Sequence, residues 1–130
     1  MEANIPEDLR YTESDEWVRR DGDEVVSGVT AFAAEQLGDV VYVQLPGAKE
    51  HYDQGQSYGE IESVKAVSDL YAPLAGEIVD VNFAINEDSG LVNEDPYGAG
   101  WLVRLKPDNP ADYDSLLDAA AYGQSVADRS

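Results

Sequence analysis

Lys65 is the residue of this chain best suited to chemistry. It is one of three lysines, with Lys49 and Lys106, among 130 residues. It stands between two strand-like runs, Tyr58-Gly-Glu-Ile-Glu-Ser-Val64 and Val67-Ser-Asp-Leu-Tyr71. Such runs on either side of a short break predict a tight β-hairpin. In this reading Lys65 and Ala66 make the turn, and Val64 and Val67 anchor the two strands. A primary amine held in solvent on a rigid reversal suits use as a covalent attachment point. A modifying enzyme would meet it in one fixed geometry, and Ala66 adds no bulk beside it. Glu60, Glu62 and Asp69 flank the tip and discourage non-specific contacts. A turn lysine taken alone is most often simply solvated, so the assignment rests on the surrounding sequence.

Other chemical equipment is sparse. The chain has no cysteine, which excludes disulfides, thiolate nucleophiles and cysteine-based metal sites. The single histidine, His51, lies in the polar stretch Lys49-Glu-His-Tyr-Asp-Gln-Gly55 and reads as a solvated loop residue. The acids Glu87-Asp88 and Glu94-Asp95 lack the ligand spacing of a calcium loop, and no other metal site is read. There is no Gly-rich phosphate loop. The chain reads as non-catalytic, and any redox chemistry must be carried by a group attached to it.

Twenty-seven acids against eight bases give a net charge of −19. Phosphates would be repelled, which argues against nucleic acid and against anionic membranes. The acidity fits either a docking surface for basic partners or adaptation to a high-salt interior, where screening relieves self-repulsion. The acids run along the whole chain and lysine is scarce relative to arginine, so the second reading, a halophilic source, is favoured. No apolar run approaches a membrane span, and the N-terminus lacks a basic segment followed by an apolar one. A cytoplasmic protein is expected. A hydrophobic content of 43% supports a packed core. One domain over 1–130 is expected, with the polar residues 1–10 flexible, and a monomer.

The elements that must position Lys65 are short. Glu16–Arg20 and Glu24–Gly28 predict a hairpin about Asp21-Gly22-Asp23. Residues 30–37 predict a helix, with Thr30 as N-cap and Gly38 as its stop. Val40–Leu45 is a strand closed by Pro46-Gly47, and Glu77–Asn82 a further one. Pro73 and Gly76 set the turn between the hairpin and that strand. The runs 86–90 and 93–98 are turn-rich, and Trp101–Lys106 is the last strand. Asn109-Pro110 opens a C-terminal helix near 110–121, with Tyr113, Leu116, Leu117, Ala120 and Ala121 on its buried face. Trp17 and Trp101 read as core. This pattern predicts a mainly β sandwich or barrel-like fold carrying minor helices.

The stretch Gly59-Glu-Ile-Glu-Ser-Val-Lys-Ala-Val-Ser-Asp-Leu-Tyr-Ala-Pro-Leu-Ala-Gly-Glu77 resembles the attachment segment of the glycine cleavage system H-protein family. The likeness extends upstream through Ser14-Asp-Glu-Trp-Val18, Gly28-Val-Thr30 and Gln36-Leu-Gly-Asp-Val-Val-Tyr-Val-Gln-Leu-Pro46. Downstream it includes Leu91-Val-Asn93, Asp95-Pro-Tyr-Gly98 and Gly100-Trp-Leu-Val103. It covers roughly residues 9 to 123. The lysine motif alone is shared with lipoyl and biotinyl domains; the flanking segments make the match specific. One departure stands out: the family usually has histidine where this chain has Asp15.

The resemblance implies a lipoyl-domain-like barrel-sandwich hybrid of antiparallel sheets. It implies that Lys65, between Val64 and Ala66, carries lipoic acid as an amide. The partners implied are glycine decarboxylase (P protein), aminomethyltransferase (T protein) and dihydrolipoyl dehydrogenase (L protein), together with the enzymes that attach lipoate. The arm would take an aminomethyl group from P to T protein and its dithiol to L protein. Between partners it would rest in a cleft using Ser14, Glu16, Val29 and Leu37, with Glu16, then Asp69, nearest the amine. Competing readings are an H-like protein in lipoate relay, a lipoyl or biotinyl domain of another complex, and an acidic interaction module without a prosthetic group. Biotin sites place methionines beside the lysine, whereas Val64 and Ala66 stand here.

Overall fold

A computed structural model describes residues 4–129. Among these residues nine strands form two antiparallel sheets, and four α-helices and one 3-10 helix pack around them. The larger sheet has six strands in the order β1-β2-β3-β9-β8-β5. These are β1 (Arg10–Tyr11), β2 (Glu16–Asp21), β3 (Glu24–Val29), β5 (His51–Tyr52), β8 (Gly76–Val81) and β9 (Val103–Pro107). The smaller sheet is β4-β6-β7, from β4 (Val40–Gln44), β6 (Ser57–Ser63) and β7 (Val67–Tyr71). The expected antiparallel, mainly β architecture is what the chain adopts.

Local chemistry accounts for the elements. Asp21 pairs with Glu24 across a two-residue reversal, and Gly22 at φ 65° takes its first position. A positive φ there is what a two-residue hairpin of this hand requires. Helix α1 (Ala31–Leu37) starts at Thr30, whose hydroxyl accepts from Ala33 N at 3.2 Å. It stops at Gly38, φ 77°, whose N–H donates to Ala34 O at 3.1 Å. Both ends fall where the sequence places them.

The main core lies between the sheets. Val18, Val25, Leu74, Ile78 and Leu105 from one side meet Val43, Ile61 and Leu70 from the other. A second cluster covers the outer face of β1–β3, where Tyr11, Trp17 and Val26 lie under Tyr122 and Val126. Tyr11 and Tyr122 stack with ring centroids 4.6 Å apart. Trp17 is fully buried and Trp101 half-buried against this cluster. Each buried side chain of this size contributes roughly 1.5–3 kcal/mol.

Several details differ from expectation. The C-terminal helix near 110–121 is split into a 3-10 turn (Pro110–Ser115) and helix α4 (Ala119–Arg129). Leu116 is extended, and Leu117 exchanges two backbone hydrogen bonds with Tyr11, at 2.8 and 2.9 Å. That pairing outweighs helix propensity, and Asp118 restarts the helix by accepting from Ala121 N. The face follows the new phase: Tyr122 and Val126 are buried, whereas Ala120 and Ala121 are exposed.

The runs 86–90 and 93–98, read as turn-rich, overlap the one-turn helices α2 (Ala84–Glu87) and α3 (Leu91–Glu94), which bury Ile85 and Val92. Of the segment 1–10 expected to be flexible, residues 1–3 lie outside the described residues. Within residues 4–10, Leu9 is buried and Pro6 O accepts from Tyr11 Oη at 2.5 Å, while Asn4, Glu7 and Asp8 are exposed. His51 sits on β5, and its Nε2 is 2.7 Å from Asp108 Oδ2, an interaction that raises its pKa. No helix among the described residues is long and apolar enough to cross a membrane.

Candidate functional site

The tip between β6 and β7 is built by Ser63. Glu62 pairs with Val67, and Ser63 N donates to Ala66 O at 2.8 Å. The reversal itself is Val64-Lys65, one residue earlier than the expected Lys65-Ala66. Ser63 Oγ accepts from Lys65 N at 3.3 Å and Ala66 N at 3.1 Å, and donates to Ala66 O at 3.3 Å. A side-chain oxygen thus does the work of a turn carbonyl. Ser63 is buried, whereas Lys65 is exposed.

The tip is also tied sideways. Val64 N donates to Asp39 O at 3.0 Å, joining the hairpin to the start of β4. A Cβ on Gly38 would lie 3.5 Å from Lys65 Cε, so the lysine stem passes over the end of α1. The amine therefore stands on a braced apex. The expected anchoring by Val64 and Val67 is corrected: they are 68% and 61% exposed. Backbone bonds and the Ser63 hydroxyl hold the reversal, which leaves both valines facing solvent.

Beside the tip opens a cleft of about 250 Å³. Ser14, Asp15 and Glu16 line one wall, Val29, Ala33, Gln36 and Leu37 another, and Ile61 and Ala66–Leu70 the third. Ser14, Glu16, Val29, Leu37 and Asp69, chosen from far-apart segments, all lie on this one cleft. It begins at Ala66, next to Lys65. Val64 does not line it. A larger open groove of about 520 Å³, lined by Thr12, Gln54 and Leu116 among others, shares only Ser14 with it and touches no hairpin residue.

Glu16 forms the cleft's acidic floor. It is 1% exposed, and its Oε1 accepts from Thr12 Oγ1 at 2.5 Å and Ser14 Oγ at 2.7 Å. Burial raises its pKa from 4.5 to about 7, against the lowering effect of the two hydroxyls and the Tyr71 backbone; the Asp15 charge adds to the rise. Nearby, Tyr58 Oη is buried without a hydrogen-bond partner among the described residues. Burial first, then the charge of Glu16, pushes this phenol well up. The arrangement offers a carboxyl poised between its neutral and anionic forms, which a cation entering the cleft would draw to the anion.

Asp15 occupies the rim with φ 71°, a left-handed conformation that Asp tolerates better than most residues. Its carboxylate accepts from Tyr122 Oη at 2.8 Å and from Arg129 at 2.7 and 3.1 Å. Tyr122 Oη also lies 2.7 Å from Thr30 Oγ1, next to the start of α1. Asp15 is thus wired to α4, with its carboxylate engaged by that helix.

Sequence reasoning missed Thr12, Ser63, Ala33 and Gln36. A serine two positions before the apex and a Thr-x-Ser-x-Glu run were the available signals for Ser63 and Thr12. Ala33 and Gln36 could have been found from the four-residue helical spacing Ala33–Leu37.

An amine on a braced reversal, beside a cleft with both apolar and polar walls and a carboxyl floor, suits a linear acyl chain that folds back and carries a cation at its far end. Comparisons with known proteins agree. The family model for "Glycine cleavage H-protein" matches residues 9–129. The chain is 53% identical over 119 residues to a glycine cleavage system H protein of Magnetococcus marinus, covering 92% of this chain and 85% of that one. It is 54% identical over 125 residues to the H protein of Laribacter hongkongensis, covering 95% and 98%. The crystal structure of a glycine cleavage system H protein from Mycobacterium marinum aligns with TM-score 0.87 at 43% identity, covering 95% of this chain and 99% of that one. Hairpin, cleft and full-length similarity together place this chain in the glycine cleavage H-protein family.

Proposed function

We propose that this protein is the lipoyl carrier of a glycine cleavage system, with lipoic acid amide-linked to Lys65 Nζ. The observation that carries the reading is the exposed lysine on a pinned apex with an acid-floored cleft opening one residue away. The residues present fit the group: the amine is reachable, Ala66 leaves room, and the cleft walls are apolar at Val29 and Leu37. When attached, lipoate supplies the dithiolane sulfur that takes up, carries and gives back an aminomethyl unit and cycles between disulfide and dithiol. The carrier's partners are glycine decarboxylase (P protein), aminomethyltransferase (T protein), dihydrolipoyl dehydrogenase (L protein) and an enzyme that attaches lipoate.

The chain's own residues bind and shield. Ser63 and Asp39 fix the direction in which Lys65 leaves the body. Val29 and Leu37 exclude water from the arm. Glu16, its pKa raised to about 7 by burial, would release its proton to water and hold a cationic group on the arm as the carboxylate, while Asp69 adds a second carboxylate to the cleft lining. Tethering replaces diffusion between enzymes by a high effective concentration.

The test is the intact mass of the protein purified from its own host. A lipoyl-sized increment that disappears in Lys65→Arg supports the carrier. An unmodified mass in cells that lipoylate other proteins rejects it.

A further inference from the structure

Among the described residues five large hydrophobic side chains are exposed: Val41, Tyr42, Val64, Val67 and Phe83. Four of these gather around Lys65. A β-bulge in β4 lies between Val40, paired with Ser63, and Tyr42, paired with Glu62. The extra residue turns both Val41 and Tyr42 outward, at 50% and 56% exposure. Tyr42 faces Glu62, and Glu62 faces Val67, so the three side chains form one row on the outer face of the small sheet. Val64 extends that face onto the tip, because Ser63 between it and Glu62 points inward.

An apolar patch on a chain of net charge −19 calls for a partner. Its rim names that partner's chemistry. Asp39, Glu60 and Glu62 border the patch, all exposed, and Lys65 is the one base of the β4-β6-β7 sheet and its tip. A second copy of the chain would set acid against acid, so self-association is disfavoured. A surface with an apolar hollow and a basic rim fits. This face lies beside the amine and, at Val41 and Tyr42, outside the cleft, so a partner seated here reaches Lys65 without occupying the cleft.

We infer that Val41, Tyr42, Val64 and Val67, within the acidic rim, form the seat of the enzyme that acylates Lys65, and that this enzyme meets it with an apolar hollow edged by lysine or arginine. The inference rests on the carrier reading above. Aromatic anchors at the centre of such patches carry much of the binding energy, so Tyr42 is the leading contributor.

The experiment uses the full-length apo protein and the lipoate-attaching enzyme of its host, with modification followed by intact mass. Val41→Ser/Tyr42→Ser is expected to raise KM about tenfold with kcat and Tm unchanged, and Tyr42→Phe to retain the wild-type KM. Glu60→Lys/Glu62→Lys is expected to raise KM at low salt and to flatten its salt dependence. An unchanged KM in the Val41/Tyr42 variant overturns the seat while leaving the carrier intact. A wild-type dimer in sedimentation that this variant dissolves also overturns it, in favour of a self-interface. If the enzyme leaves wild-type Lys65 unmodified, it is the carrier reading that has failed.

Discussion

Arg129, the last described residue, grips Asp15 through two nitrogens, at 2.7 and 3.1 Å, from 114 positions away in the sequence. The pair joins the C-terminal helix to the cleft rim, and Tyr122 adds a third bond to the same carboxylate. An ion pair this exposed is worth about 0.5–1 kcal/mol, so Arg129→Ala is expected to cost about that much in denaturant unfolding. Asp15→His is expected to cost roughly 1–2 kcal/mol, because it also breaks the bond to Tyr122 and faces Arg129 with no anion. In a double-mutant cycle the Asp15→His cost should fall by the ion-pair share, about 0.5–1 kcal/mol, once Arg129 is alanine, and the share from the lost Tyr122 bond should remain. Additive costs would show that the two residues do not act together.

The tip makes a separate demand. Ser63 Oγ is the acceptor for two backbone N–H groups of the reversal. Ser63→Ala leaves both without it, at about 1–3 kcal/mol where they are shielded from water. The variant is expected to be less stable and to be modified at Lys65 several-fold more slowly, since the amine is no longer presented in one geometry. Ser63→Thr should keep most of the rate, because the hydroxyl is retained. A full modification rate in Ser63→Ala would show that the hydroxyl plays no part in presenting the amine.

How far was this legible beforehand? The hairpin and helix α1 followed from local patterns, whereas the five cleft residues came from the family likeness alone. Thr30 and Gly38, for instance, carry their own capping signals. The break at Leu116–Asp118 did not follow, because its cause is a backbone exchange with Tyr11 more than a hundred residues away. Leu117 fits a helical apolar stripe equally well, and only the docked position of β1 decides otherwise. The outward turn of Tyr42 was hidden for a similar reason: strict alternation in Val40–Leu45 cannot show a bulge that exists only against β6. The role of Asp15 needed both its positive φ and the far end of α4.

Glu16 makes stability depend on pH in a stated direction. Its pKa rises from 4.5 in the unfolded chain to about 7 in the fold. The stability this group contributes is complete below about pH 4.5 and is lost as pH climbs through 7, because the unfolded chain gives up the proton first. The full loss is about 3 kcal/mol. Glu16→Gln keeps an oxygen for the Thr12 and Ser14 hydroxyls and removes the ionisation. Relative to wild type the variant should therefore gain stability between pH 5 and pH 8, read from urea midpoints at the two pH values. A difference independent of pH would place the Glu16 ionisation outside this range.

Salt should act on the whole molecule. Twenty-seven acids face eight bases, and among the described residues the ion pairs involve only His51, Arg104 and Arg129 on the cationic side. Most carboxylates thus experience mainly repulsion. Raising the ionic strength from about 0.01 M to about 1 M shortens the screening length from roughly 30 Å to roughly 3 Å. That span removes the long-range repulsion but leaves contacts such as Arg129–Asp15 partly intact, because their partners are within 3 Å. Tm is therefore expected to rise steadily with sodium chloride, and the gain to shrink when Glu60 and Glu62 are both changed to glutamine. Sulfate would raise Tm through apolar burial as well, so chloride is the salt that isolates screening. A fall in Tm over the same range would mean that the few ion pairs, not the surplus carboxylates, govern the balance.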